Sequence, residues 1–365
     1  MPDHTDDSPW LPIPDFYDPQ NAASWSYGPD QQALFQAAQH YRRKHEVSPA
    51  NKDAQRLHLL LVDLQKDFCL PQGALFVAGR SGSGAIDDNR RIASFIYRNL
   101  EAITEVTCTL DTHFPYQIFF PSFWQDANGE PPSPYRTITT DDIHARRLVP
   151  NPAVASWLCD GDVKWLERQV VFYCGELERA GKYTLYLWPP HCILGSDGHA
   201  LAGVIHEARL FHSYVRGSRS WAEIKGGHAL TESYSVLAPE VLMRHDGNPL
   251  AQPNTELIDT LLSADAVFIA GQAASHCVRA TIEDLLDETS SRGRDLARKV
   301  YILADCMSAV TVPDPHAPGE FLFDFTSQAE EALARFAEAG MHVIRSTDPL
   351  CELPNLRGRP SPRWR

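Results

Sequence analysis

The apolar positions of this chain follow two rhythms. Short runs, apolar at nearly every position, occur at "LHLLLVDL" (58 to 64 at its centre), "ITEVTCTLD" ending at Asp111, "YTLYLW" ending at Trp188, "AVFIAG" ending at Gly271, "KVYILADC" ending at Cys306 and "MHVIRS" near 341. Each is too short for a helix and apolar on both faces, which predicts strands of a sheet covered on both sides. Between most of them lie segments with helical spacing: "DDNRRIASFIYRNLEAI", "DVKWLERQVVFYCGELERAG", "GHALAGVIHEARLFHSYV", "NTELIDTLLSA", "CVRATIEDLLDE" and "TSQAEEALARFAEAG". Two of these segments end in glycine, a common helix terminator. The alternation predicts an α/β fold of three layers, α/β/α, doubly wound around a mostly parallel six-stranded sheet.

The flanks read differently. Residues 1 to 51 form an N-terminal arm, proline- and aromatic-rich in "WLPIPDFYDP", with one helix in "DQQALFQAAQHYRRKH". The main domain covers 52 to 350, interrupted by an insertion at about 120 to 180, and 351 to 365 is a C-terminal tail. The insertion holds the Pro-rich loop "NGEPPSPYRTITTDD" and an extra helix, and such a segment beside a site is a lid or an oligomer contact. The glycines of "GRSGSGA" lack the Lys-Ser/Thr of a phosphate loop and do not directly follow a strand, so they read as a flexible turn.

Composition narrows the partners. A formal charge of -14 over 365 residues argues against nucleic acid or an anionic membrane and for a small molecule. The acidic, Pro-rich start carries no export signal, and no apolar run approaches the ~20 residues of a membrane span. Eight cysteines without a C-x-x-C pair read as thiols in a reducing, cytoplasmic setting. A homo-oligomer is expected.

In a doubly wound fold, ligands bind outside the carboxyl ends of the strands. Asp63 closes the first apolar run, and Asp111 and His113 close the second. Trp188 and His191 of "WPPHC" follow the third, Lys225 closes the weaker strand-like "WAEIK", and Cys277 comes shortly after "AVFIAG". Five regions thus deliver ionisable or metal-binding side chains to one sheet edge.

Together, "VDLQKDF", "DTH", "WPPHC", "IKGG…ESYS" and "SHCV" resemble the isochorismatase-like cysteine hydrolases, and within them the nicotinamidase-related amidases, in consistent order over roughly residues 57 to 348. The resemblance implies an amidohydrolase that cleaves a small (hetero)aromatic carboxamide such as nicotinamide to acid plus ammonia through a thioester. Cys277 would be the nucleophile at a helix N-terminus, an address expected to lower its pKa. Asp63 would take its proton, and Lys225 would hold the two together. The oxyanion would meet backbone N–H groups at Ala273 and Cys277, with a cis peptide at Gln272-Ala273.

Asp111, His113 and His191 offer a carboxylate and two imidazoles, a set suited to a divalent metal, Zn2+ first, with Fe2+ or Mn2+ as alternatives. The further histidine that many nicotinamidases place after D-x-H is missing from "FPYQIFF", where either Gln117 or waters would complete the shell. Phe68 and Trp188 match the positions that sandwich a flat ring, and Tyr234 and His276 line the pocket beside them. Ser275 stands where relatives commonly carry Asp. His199, His206 and His212 are read as structural. Two other functions stay open: a C–N hydrolase acting on a ureido, carbamoyl or linear amide, and a non-catalytic metal- or ligand-binding protein that keeps the fold.

Overall fold

The computed structural model describes residues 9 to 356, apart from 182 and 315 and the side chain of 294. Residues 1 to 8 of the expected arm and 357 to 365 of the expected tail lie outside the described residues. Six parallel strands form the central sheet: β1 (Leu57–Val62), β2 (Glu105–Asp111), β3 (Ser220–Lys225), β4 (Ala266–Gly271), β5 (Val300–Leu303) and β6 (His342–Ile344). Their order across the sheet is β6-β5-β4-β1-β2-β3. The winding reverses between β1 and β4, so the loops leaving those strands diverge and open a crevice at their carboxyl ends.

The longer helices are α1 (Gln31–Lys44), α2 (Gly84–Arg98), α3 (Val163–Ala180), α4 (Gly203–Arg216), α5 (Thr255–Ser263), α6 (Cys277–Arg292) and α7 (Thr326–Glu338). Helices α1, α2 and α4 pack together on one side of the sheet, and α5, α6 and α7 on the other. Within β1, Leu59 and Leu61 enter the first core while Leu60 and Val62 enter the second. All four are sealed from solvent, each worth ~1.5–3 kcal/mol of burial, which is why the strand reads as unbroken apolar sequence. Residues 9 to 52 belong to the first core through Leu11, Leu34 and Tyr41, so this segment is packed against the main domain.

One expected strand is elsewhere. "YTLYLW" contributes Leu185–Tyr186 to a two-stranded antiparallel ribbon with Thr137–Ile138, outside the central sheet. Its apolar residues Leu185, Leu187 and Trp188 fill a third core, shared with Phe120, Trp124, Val170 and Tyr173 of the insertion. The place beside β2 is taken by β3, the sheet edge, where Trp221 and Ile224 are exposed. With one neighbour and partial burial on both faces, this strand lacks the unbroken apolar run of the central ones.

Candidate active site

Strand register brings the first residues together. Asp111 and Lys225 are cross-strand partners at the ends of β2 and β3, and Val62 lies opposite Gly271 on β4. A Cβ on Gly271 would sit 2.1 Å from the Val62 carbonyl oxygen, so only glycine lets β4 close on β1 here. Asp63 follows Val62 with φ +48, a turn that re-aims its carboxylate across the crevice. Its N–H donates to Thr109 Oγ1 at 2.9 Å, and the Thr109 hydroxyl donates back to Asp63 Oδ1.

Lys225 is the hub. Its Nζ lies 2.9 Å from Asp63 Oδ2 and 3.1 Å from Asp111 Oδ1, donates to the Ser233 carbonyl at 2.8 Å and stands 3.6 Å from Cys277 Sγ. Asp63, Lys225 and Cys277, 214 residues apart at their extremes by subtraction of 63 from 277, therefore share one buried cluster.

Cys277 opens α6, and the loop before it has alternating amides. Those of Gln272, Ala274, His276 and Val278 donate to the carbonyls of Val62, Ser308, Ala273 and again Ala273. Among the described residues, the amides of Ala273, Ser275 and Cys277 have no protein acceptor, and of these three only Ala273 and Cys277 line the adjoining cavity. The Gln272-Ala273 bond is cis. Ser275 Oγ accepts from the Val310 N–H at 3.1 Å and bonds His276 Nδ1 at 2.8 Å.

Electrostatics correct one expectation. Burial pushes the Cys277 thiol well above its ordinary value, and Lys225 opposes this without overcoming it. A helix N-terminus and one ammonium do not outweigh complete desolvation beside two carboxylates. Asp63 is also raised, by burial first, with Lys225 opposing. For Asp111 burial is outweighed by His113 and Lys225, which hold it well below the carboxylate range. Lys225 is likewise desolvated, but Asp111 and Asp63 carry it well above its usual value. The resting cluster thus holds a charged Lys225–Asp111 pair and a proton within the Asp63–Cys277 pair, both members of which lie against Lys225 Nζ.

Asp111, His113 and His191 could hold a metal ion. One ligand atom from each lies within 4.8 Å of the others, and all three residues are buried. His113 Nε2 is 2.9 Å and His191 Nε2 3.7 Å from Asp111 Oδ2. The Nδ1 atoms face backbone carbonyls, His191 donating to Pro189 at 2.8 Å and His113 standing 3.3 Å from Gly226. With its proton on Nδ1, His191 presents an Nε2 lone pair to the Asp111 carboxylate, a repulsive arrangement that a cation between them would relieve. The residues fit such a group. Gln117 does not join them: its amide nitrogen lies 3.3 Å from His113 Nδ1 and donates to the Gly226 carbonyl at 2.8 Å, behind the ring. The expected substitution fails because the chain after His113 turns Gln117 to the wrong ring nitrogen.

A cavity of about 180 Å3 adjoins the thiol. That is below the ~300–1,000 Å3 of sites for drug-sized ligands, so a small molecule fits. Phe68, Trp188, Tyr234 and His276 all line it, as do Cys277, Ala273 and the three metal-site residues. Phe68 sits edge-on to His191 at 5.5 Å, Trp188 edge-on to His276 at 5.4 Å, and Trp188 Nε1 donates to Tyr234 Oη at 2.8 Å. His199, His206 and His212 do not line it. His199 bonds Thr112 Oγ1 at 2.8 Å, and His212 is sealed against the Ile103 carbonyl at 2.8 Å.

Several wall residues have no counterpart in the sequence reading. Tyr135 and Phe119 come from the insertion, and Val310 to Pro313 from a segment after β5. Glu232 also lines the cavity, buried, with Oε2 accepting from Tyr173 Oη at 3.0 Å. The nearest signal was the Glu of "ESYS", which carries no mark of its burial. Asp67 ties the loops together, accepting from the Cys192 N–H at 2.7 Å and the Ala74 N–H at 3.0 Å.

Fold and site together define the class: a doubly wound α/β protein with a Cys-Asp-Lys cluster and an Asp-His-His ligand set at the carboxyl edge of its sheet. Solved structures similar to this chain include a nicotinamidase/pyrazinamidase of Acinetobacter baumanii, at 20% identity and TM-score 0.47, covering 81% of this chain and 99% of that one. The yeast nicotinamidase bound to the inhibitor nicotinaldehyde matches at 17% identity and TM-score 0.49, covering 79% and 99%. The pyrazinamidase of Pyrococcus horikoshii in complex with zinc matches at 18% identity and TM-score 0.41, covering 80% and 99%. No protein-family model and no curated protein matches the chain. Among the described residues no helix is long and apolar enough to cross a membrane.

Proposed function

We propose that the protein is a metal-assisted cysteine amidohydrolase that cleaves a small, neutral carboxamide, nicotinamide or a close heteroaromatic relative, to the carboxylic acid and ammonia. The observation that carries this reading is Cys277 Sγ on the cavity wall, 3.6 Å from the Lys225 ammonium that also lies 2.9 Å from Asp63, beside two amides without acceptors.

Sγ attacks the carboxamide carbon as the thiol proton passes to Asp63, so no standing thiolate is needed. The carbonyl oxygen gains the negative charge and takes hydrogen bonds from the Ala273 and Cys277 N–H groups. As the tetrahedral species collapses, the C–N bond breaks, Asp63 returns its proton to nitrogen, and ammonia leaves an S-acyl Cys277. Water then attacks the thioester, giving its proton to Asp63. The acid departs, and Sγ recovers the proton.

Asp111, His113 and His191 would hold the divalent metal, Zn2+ by donor type, which when bound supplies an anchor for a lone pair such as a ring nitrogen. Phe68 and Trp188 would flank the ring.

Cavity chemistry favours a neutral substrate. No arginine or lysine is among the lining residues, and Lys225, behind the wall, is committed to two carboxylates. Among the described lining residues a ureido or carbamoyl acid would find only the metal to receive its carboxylate, in the place the ring nitrogen would take. This speaks for a simple carboxamide over that alternative.

The test is ammonia release from nicotinamide, pyrazinamide, benzamide and N-carbamoyl amino acids, with metal-loaded wild type and Cys277→Ala. Release from the aromatic amides, lost in the variant, is expected. Turnover that survives the substitution refutes the nucleophile, and none from any amide refutes the enzyme.

A further inference from the structure

Outside the reacting cluster, a second buried carboxylate holds the loop that carries the two free amides. Asp88, on α2, is 1% exposed. Its Oδ2 accepts from Gln272 Nε2 at 2.8 Å and from Ser308 Oγ at 2.7 Å, while Oδ1 pairs with Arg91 at 2.7 Å. The same two residues are joined to each other and to the loop. Ser308 N–H donates to Gln272 Oε1 at 3.4 Å, and the Ser308 carbonyl accepts from the Ala274 N–H at 2.8 Å. Ala273 is therefore bracketed on both sides, by the Gln272 side chain and by the Ala274 amide, and both brackets end on Asp88.

The packing leaves this bracket no slack. A Cβ on Gly84, one turn before Asp88, would stand 2.5 Å from Ser308 Oγ, so α2 is pressed against Ser308. Gln272 is fully buried, and its backbone N–H is fixed to the Val62 carbonyl at 2.8 Å. Between the fixed amides of Gln272 and Ala274, the Ala273 N–H has no protein acceptor among the described residues, and Ala273 lines the cavity together with Cys277.

We infer that Asp88 is a positioning residue: through Gln272 and Ser308 it fixes the Ala273 amide in the orientation that receives the oxyanion. The inference rests on the amidohydrolase reading and deepens it. Asp88 touches neither substrate nor thiol. Its effect falls on the step in which the carbonyl oxygen becomes charged, because donors aimed at that oxygen contribute only there.

Asp88→Asn is the direct test, since it keeps the size and leaves one acceptor oxygen where Arg91 and the bracket together use two. Removing a whole oxyanion donor costs about 10²–10³ in kcat, so loosening one should cost about 10–100-fold, with KM for nicotinamide changed less than about threefold. Nicotinaldehyde affinity should fall by a similar factor, because the hemithioacetal formed with Cys277 uses the same donors. Alkylation of Cys277 by iodoacetamide, which needs no oxyanion donor, should stay within about twofold of wild type. Should Asp88→Asn fail to fold, Ser308→Ala, which keeps the backbone carbonyl, decides the matter with a smaller expected loss of about fivefold in kcat. Unchanged kcat and aldehyde affinity in the variant that folds overturn the assignment, and so does alkylation falling in parallel with kcat, which would mean a collapsed site. A wild type that releases no ammonia sinks the amidohydrolase reading and this one with it. Wild-type turnover beside an unimpaired Asp88→Asn sinks this one alone.

Discussion

Replacing Glu232 by glutamine should stabilise the protein at pH 8 and leave it nearly unchanged at pH 5. Glu232 is 2% exposed. Among the described residues only Tyr173 Oη gives it a hydrogen bond of good geometry, and Oε1 has none, although the Tyr234 hydroxyl bears on the carboxyl as well. Burial, followed by the repulsion of Glu240 and Asp111, lifts its ionisation from 4.5 to about 8, with the two tyrosines opposing. The folded-state value lies above the unfolded one, which fixes the sign. Below about pH 4.5 both states hold the proton and Glu232 costs nothing. Between about 4.5 and 8 the unfolded chain ionises while the folded chain does not, and stability is lost at roughly 1.4 kcal/mol per pH unit. The full interval amounts to about 5 kcal/mol, reduced to a few kcal/mol where water from the adjoining cavity reaches the carboxyl.

Glutamine has the same shape, keeps a donor and an acceptor, and cannot ionise. Thermal melts of wild type and Glu232→Gln at pH 5, 6, 7 and 8 read the difference directly, and subtraction cancels the titration of groups common to both. With roughly 1–3 °C per kcal/mol for a domain of this size, the variant should lead by several degrees at pH 8 and by less than about 2 °C at pH 5. A gap that does not change with pH, or a wild type ahead at pH 8, would show that Glu232 is ionised in the fold and that the reasoning is wrong.

Lys225→Met leaves Asp63 and Asp111 facing each other without their shared cation. It should lower kcat/KM by more than about 10³-fold and cost about 3–5 kcal/mol in denaturant stability, and a variant within tenfold of wild type would remove Lys225 from the cluster's function. Gly226→Ala puts a methyl 2.6 Å from Asp111 Oδ1 and 2.7 Å from His113 Cε1, at φ +82. Zinc titration followed by equilibrium dialysis should show at least tenfold weaker binding, and unchanged affinity would argue that these three side chains are not the ligands.

Most of the architecture can be read from periodicity because burial on both faces leaves a strong trace. β1 and β4 sit in the middle of the sheet, and their consecutive apolar residues alternate between two cores that both exclude water. β3 has one neighbour only, and its exposed Trp221 and Ile224 blur the pattern that would have identified it. The run before Trp188 misleads for the opposite reason. It is apolar because it is buried, but in the insertion's own core, and hydrophobicity does not say which core a segment fills.

The site divides along the same line. Asp63, Asp111, Lys225 and Cys277 lie at or just beyond strand ends, where a doubly wound sheet assembles them whatever the intervening loops contain. Glu232 became visible only in three dimensions, since its burial depends on Tyr173 of α3, which comes from 59 residues away. The raised thiol of Cys277 was equally hidden: local sequence shows the helix start and suggests activation, whereas the desolvation that wins arises from elements far along the chain. The insertion thus contributes Phe119, Tyr135 and the Tyr173 clasp to the walls, and the strand ends contribute the groups proposed to react. Lesions in the two should therefore differ in kind. On the amidohydrolase reading, a change at Asp63, Lys225 or Cys277 lowers turnover of every amide by a similar factor, because all would pass through the same tetrahedral oxyanion. A change at Tyr135 or Phe119, which line the cavity outside that cluster, should instead reorder the amides among themselves by reshaping the wall.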